Sequence, residues 1–150
     1  MAILSERHQE ILERLPYEPP FLFVDELEEV NENGAKGSFS FTPEQYFYKG
    51  HFRNNPVTPG VILTECMAQI GLVSLGLFLL NEEELQNARI ALTHTDVHFY
   101  LPVFPGEKVK VTSEKIYFRF QKLKCKVEMR NAEGKLVGRG EISGMISNYE

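Results

Sequence analysis

Basic charge, cysteine and signal-like segments are all scarce in this chain, and each scarcity removes a class of function. Its 150 residues carry 16 Lys and Arg against 21 Asp and Glu, and a net charge of −5 gives no support for general nucleic-acid binding. There are two cysteines, Cys66 and Cys125. Without metal or redox spacing they read as reduced core residues of a cytoplasmic protein. The opening MAILSERHQE lacks the basic-then-apolar pattern of a secretory signal. Repeats, low-complexity tracts and linkers are missing, so one domain over residues 1–150 is expected, long enough to bury a real core. His94 and His98 share a strand parity, but no cysteine or carboxylate cluster completes a metal set, and no metal site is expected.

One long apolar run stands out, within GHFRNNPVTPGVILTECMAQIGLVSLGLFLL at residues 50–80. Thr58 is suited to cap a helix, Pro59 to its first position, and Gly60 follows. From Val61 to Leu80 the clearly polar side chains are Thr64, Glu65, Gln69 and Ser74. A helix apolar on nearly all sides is normally buried on all sides, and this one would be roughly 30 Å long. The run reaches membrane-spanning length, but Glu65 and Gln69 interrupt it and no basic flank follows, so a central core helix is expected. Burial makes Glu65 informative, because desolvation raises a carboxyl pKa. Gln69 lies four residues on, on the same helical face, and can hydrogen-bond it. Alone, that pair also admits a purely structural reading. With His51 at the other end of the same loop-to-helix unit, it reads as an acid/base pair.

The rest of the chain predicts a sheet. A short amphipathic helix with Ser5 as cap covers residues 5–15, and Pro16, Pro19 and Pro20 break it into an extended connector. A strand over 21–30 is expected to turn back at Asn33-Gly34, both of which accept φ > 0, into a strand over 37–41 with Phe39 and Phe41 inward. Residues 42–44 open a short helical turn. Residues 81–87 form a loop or short surface helix, and 90–100 a strand ending at the Pro102, Pro105, Gly106 turn. Val109 and Val111 alternate with lysines, but Ile116, Phe118 and Phe120 have changed parity. A β-bulge near residues 113–115 accounts for that. Leu123, Cys125, Val127 and Met129 alternate next, and a final strand covers 136–146. The architecture is α+β, an antiparallel sheet wrapped around one long buried helix.

Several blocks carry a resemblance. Gly50-His51-Phe52, the Pro56-Val57-Thr58-Pro59-Gly60-Val61 run, Glu65 and Ala68-Gln69 resemble the signature of the 3-hydroxyacyl-acyl-carrier-protein dehydratases, the FabZ-like hot-dog family. Leu15-Pro16 with Pro20-Phe21-Leu22-Phe23-Val24-Asp25, the aromatic approach from Tyr46, and Phe99 to Gly106 extend it in the expected order. Arg53 and Asn54 stand where the family usually has Pro-Gly, and Tyr17 where it commonly has histidine. These departures bear on substrate fit more than on fold, and Asn54 tolerates φ > 0.

The resemblance implies a hot-dog fold that removes water from (3R)-3-hydroxyacyl thioesters to give trans-2-enoyl thioesters, in fatty acid or related polyene or polyketide synthesis. It implies His51 as base, Glu65 as acid, a Gly60 backbone N–H facing the enolate oxygen, Gln69 orienting Glu65, and the Val57 carbonyl fixing the His51 tautomer. Phe52 and Phe99 are expected to line the acyl tunnel or to be simple core. No cofactor is expected beyond the phosphopantetheine arm of acyl carrier protein. Arg119, Lys122, Lys124 and Lys126, with Lys115 and Arg130, would steer that acidic partner or form an ordinary solvated face. A homodimer is implied, with His51 of one subunit facing Glu65 of the other, and a trimer of dimers is left open. Hot-dog folds also host thioesterases, and a non-catalytic subunit of a heteromeric dehydratase is a further alternative. The His51 loop, and the presence of both His51 and Glu65, favour the dehydratase. Chain length and pathway are not legible.

Overall fold

Alternating strands and one all-round apolar run sort the chain into a sheet and a rod. A computed structural model describes residues 2–86 and 88–148, with the side chains of residues 7–86 and 88–147. Helix α1 spans Ala2–Arg14, and the hairpin of β1 (Glu26–Asn31) and β2 (Gly34–Ser40) follows. The central helix α2 covers Gly60–Leu79, and α3 is the short Glu82–Leu85. Four long strands complete the fold: β3 (Ala88–Phe99), β4 (Lys108–Arg119), β5 (Lys122–Asn131) and β6 (Leu136–Asn148). The six strands form one antiparallel sheet in the order β1-β2-β4-β5-β6-β3. The α+β arrangement with one wrapped helix is as expected. By length and composition α2 could cross a membrane, but 78% of its apolar window is buried inside the fold, and it serves as the core. Cys66 and Cys125 are buried and free of disulfides.

The middle of α2 is not a regular α-helix. Ala68–Val73 forms a π-helical turn between α-helical Gly60–Met67 and Ser74–Leu79. Such a turn alters the carbonyl ladder, and here buried hydroxyls meet it. Ser74 donates to the Gln69 carbonyl at 2.8 Å, and Ser113 of β4 donates to the Gly71 carbonyl at 2.8 Å. Gly71 is a point of close approach: a Cβ there would lie 3.0 Å from the Ser113 side chain and 3.1 Å from Val127.

Four local expectations change. Helix α1 begins at Ala2, so Ser5 lies within it; the side chains of Leu4 and Ser5 lie outside the described residues. The first strand begins at Glu26, and residues 21–25 are extended connector. The Phe21 carbonyl and Phe23 N–H are bound by the Gln69 side chain, not by a neighbouring strand. The β1–β2 turn is formed by residues 32–33, one residue before the expected Asn33-Gly34 pair, with Gly34 already in β2, and neither Asn33 nor Gly34 has positive φ. Asn31 Oδ1 accepts the Asn33 N–H at 2.8 Å and shapes the turn, while a Cβ at Gly34 would run into the Ser113 carbonyl of β4. The β4 bulge lies between Lys115 and Tyr117. Phe118 then faces Leu123 and packs on the core, whereas Ile116 is partly exposed. Phe120 does not point inward either: with Gln121 it forms the β4–β5 turn, both at positive φ, and it is 91% exposed.

Candidate active site

The loop entering α2 is tied at both ends. A 3₁₀ turn at Tyr46–Lys49 delivers His51, whose N–H donates to the Phe47 carbonyl at 3.0 Å. The imidazole Nδ1 lies 2.8 Å from the Val57 carbonyl oxygen. A carbonyl can only accept, so Nδ1 carries the hydrogen and neutral His51 keeps Nε2 as its basic nitrogen. The Val57 N–H returns a bond to the His51 carbonyl at 2.9 Å. Between them Phe52 and Asn55 bond reciprocally, and Asn54 takes φ of 57°, a left-handed conformation that asparagine tolerates. The Phe52 ring stacks on the imidazole, centroids 3.9 Å apart, and is half exposed.

Thr58 does not cap α2. Its hydroxyl is 2.6 Å from the Tyr48 phenol in a buried pair, and its N–H donates to the Val103 carbonyl at 2.9 Å. The helix begins at Gly60, with Pro59 rather than Thr58 at the cap position. A buried phenol needs a protein partner, whereas exposed helix-end amides can use water, so Thr58 serves the former. Sequence reasoning missed this staple; its only signal is a tyrosine in the aromatic approach and a threonine ten residues later. Gly60 is exposed at the helix N-terminus, and the Phe99 ring lies 3.6 Å from where a Cβ on it would sit.

Glu65 lies one turn further in, partly buried, with Oε2 accepting from Gln69 Nε2 at 3.0 Å. Burial pushes its carboxyl above the usual range, against the smaller opposing effect of the Gln69 bond. Gln69 is fully buried and also binds the connector, with Nε2 donating to the Phe21 carbonyl at 3.0 Å and Oε1 accepting the Phe23 N–H at 2.7 Å. Glu65 opens on a cavity of about 300 Å³, lined by Tyr17 and Phe21 of the connector, Leu72 of α2, and Ile90 and Leu92 of β3. His51, Phe52 and Phe99 are not among its lining. One chain therefore joins His51 to Val57 and Glu65 to Gln69, but does not bring the two pairs to one cavity.

The basic residues occupy the β4–β5 hairpin. Lys124 pairs with Glu141 at 3.1 Å, and Lys126 is in register between Glu114 and Glu141. Arg130 reaches Glu128 at 3.4 Å, and Arg119 lies over the Tyr117 ring at 4.4 Å. Arg119 and Lys122 flank the turn itself, where positive charge is least interleaved with acid.

The raised Glu65 carboxyl makes a stability prediction. Its unfolded-state pKa is the lower one, so between the two values the folded state holds more protons and stability falls as pH rises. Glu65→Gln is expected to raise Tm at neutral pH. That gain should shrink as pH falls into the ordinary carboxylate range. A Tm difference that is constant with pH would show that the carboxyl is not held up by burial.

Comparison with known proteins adds the following. A family model described as a FabA-like domain matches residues 15–142. A 3-hydroxyacyl-acyl-carrier-protein dehydratase FabZ of Caldicellulosiruptor bescii is 37% identical over 133 residues, covering 88% of this chain and 92% of that protein. The enzyme of the same name from Sinorhizobium fredii is 34% identical over 146 residues, covering 95% and 90%. Among solved structures, the dehydratase heterocomplex ApeI:P of Xenorhabdus doucetiae superposes with a TM-score of 0.78 at 14% identity, covering 92% of this chain and 91% of that one. A thioesterase of Haemophilus influenzae superposes at 0.60 with 18% identity, covering 82% and 78%. At such identities the structures speak to the fold alone, which is the hot-dog fold implied by the motifs.

Proposed function

Because the chain belongs to the FabA-like family, among the FabZ dehydratases, we propose that it is a hydro-lyase that dehydrates (3R)-3-hydroxyacyl thioesters on acyl carrier protein. Neutral His51 removes a proton from C2 through Nε2, the nitrogen left free by the Nδ1 bond to Val57. The electron pair delocalises onto the thioester oxygen, where the Gly60 N–H at the start of α2 is the donor. One preorganised donor of this kind contributes about 3 kcal/mol of transition-state stabilisation. The pair then forms the C2–C3 double bond as the C3 hydroxyl leaves as water, taking its proton from Glu65. Burial favours the protonated carboxyl that this step uses. The observation that carries the reading is this division of roles on one loop-to-helix unit, a histidine fixed as a base and a carboxyl biased towards acid.

The site is completed by a second copy of the chain. Strand β3 is an edge strand of the sheet among the described residues, and Leu92, Phe99 and Val61 are exposed, Val61 at 77%. Pairing there would bring His51 of one subunit to Glu65 of its partner. The acyl arm comes from carrier protein, an acidic partner suited to Arg119 and Lys122, with Lys124 and Lys126 behind them. Phe52 and Phe99 flank the entrance to the acyl tunnel. No cofactor takes part, since the thioester itself acidifies C2, and the reading is of a cytoplasmic enzyme.

Mass spectrometry of 3-hydroxyacyl and trans-2-enoyl thioesters, on carrier protein and on coenzyme A, tests this. Reversible loss of water by the wild type is expected, reduced at least about 1,000-fold in His51→Ala and in Glu65→Gln. Binding without turnover would make the chain a partner subunit, and free thiol would make it a thioesterase.

A further inference from the structure

The cavity beside Glu65 contains a polar residue that the proposed reaction does not use. Tyr17 sits in the connector between α1 and β1, among apolar neighbours, and packs against the buried core. Pro16 precedes it and Pro19-Pro20 follow, which restricts the backbone on both sides. The connector is also fastened to α2 by the Gln69 bonds to Phe21 and Phe23. The Tyr17 ring therefore stands on an anchored connector and forms one wall of the cavity. Burial and the Glu65 carboxylate drive the phenol far above its ordinary titration range, so it stays neutral and brings no charge to the wall.

The cavity follows α2 from Glu65 past Ala68 to Leu72 and Val73, about 12 Å at helical rise, with Ile90 and Leu92 opposite. An elongated apolar volume with a carboxyl at one end suits a linear acyl group whose polar end reacts at Glu65. Resting on the function proposed above, we infer that Tyr17 is a specificity-determining residue: its ring narrows the acyl channel next to Glu65 and limits the length and bulk of the acyl group that can enter. Two features favour the ring over the hydroxyl. The apolar atoms of an acyl chain offer a phenol nothing to bond, and no side-chain hydrogen bond of Tyr17 is found among the described residues.

The test compares wild type with Tyr17→Phe, Tyr17→Leu and Tyr17→Ala on short, medium, long and branched 3-hydroxyacyl carrier-protein thioesters. Dissociation constants of unreactive saturated acyl-pantetheine thioesters are measured alongside. Tyr17→Ala is expected to shift the kcat/KM ratio of long or branched to short substrates by about tenfold, the scale of fitting or excluding one or a few methylenes. The same shift should appear in the dissociation constants, with Tyr17→Phe unchanged. Tyr17→Leu, which keeps an apolar side chain on the core, carries the test if Tyr17→Ala does not fold. A uniform loss across all chain lengths, an unchanged preference in the truncated variants, or an equal shift in Tyr17→Phe would overturn the inference. If the wild type dehydrates nothing but the binding preference still follows the ring, the dehydratase reading falls and the role of Tyr17 stands.

Discussion

Mixing His51→Ala with Glu65→Gln protomers is expected to restore about a quarter of wild-type turnover, although each variant alone is inactive. In a two-fold dimer with shared sites, the mixed species has one site lacking both groups and one site with both intact. Random pairing makes half of all dimers mixed, and half of their sites work, hence the quarter. The geometry of a single chain motivates this. Glu65 faces its cavity with Tyr17, Leu72 and Ile90, while His51 is clamped to Val57 on the loop before the helix, outside that lining. The β3 edge of the sheet offers the surface on which two copies would meet. Co-expression with two affinity tags and purification of the doubly tagged dimer isolate the mixed species, which should reach about half of wild-type turnover on a 3-hydroxyacyl carrier-protein thioester, against about a quarter for the unfractionated mixture. Doubly tagged dimers without activity would sink the shared site and return both groups to one chain.

What the sequence made legible was set by short-range chemistry. Glu65 and Gln69 are four apart on one helix, so their bond could be anticipated without the fold. Asn54 could be expected at positive φ because few other residues tolerate it. Strand β5 and the first half of β4 were legible from period-two alternation between a buried and a solvated face. Long-range competition was illegible. Thr58 looks like a helix cap locally, and only the folded chain puts the buried Tyr48 phenol beside it. The segment at 21–25 has strand composition, yet its Phe23 N–H and Phe21 carbonyl are claimed by a glutamine 46 residues away from Phe23. At the π turn the Ser74 bond to Gln69 lies within the helix, but the Ser113 hydroxyl and Val127 side chain that meet Gly71 come from β4 and β5 and leave no trace in the helix's own residues. Phe120 misled for a different reason: hydrophobicity argued for the core, but the two-residue turn between β4 and β5 required that position.

Gln69 is where the fold and the proposed chemistry are least separable, and Gln69→Leu should cost on the order of 3 kcal/mol. The substitution leaves the Phe23 N–H, the Phe21 carbonyl and one Glu65 oxygen without their partner, in a position where Gln69 itself is fully buried. Stranding the buried Phe23 N–H costs about 1–3 kcal/mol, and the part-buried Phe21 carbonyl and Glu65 oxygen, which can turn in part to water, add less. In a domain of this size the loss corresponds to a Tm lower by on the order of 10 °C. Turnover should fall as well, since Glu65 and the connector at Phe21 and Phe23 are both held by the same side chain. Gln69→Glu separates hydrogen bonding from packing. It preserves shape and an acceptor for Phe23, but removes the donor for Phe21 and sets a second carboxylate against Glu65. Two such groups hold a proton between them, so the folded-state affinity for protons rises. The variant should then be most stable at mildly acidic pH and lose stability as pH rises towards neutrality. Chemical denaturation across that range distinguishes the cases. Full stability of Gln69→Leu, or a Gln69→Glu variant insensitive to pH, would show that the connector is held to the helix by packing alone.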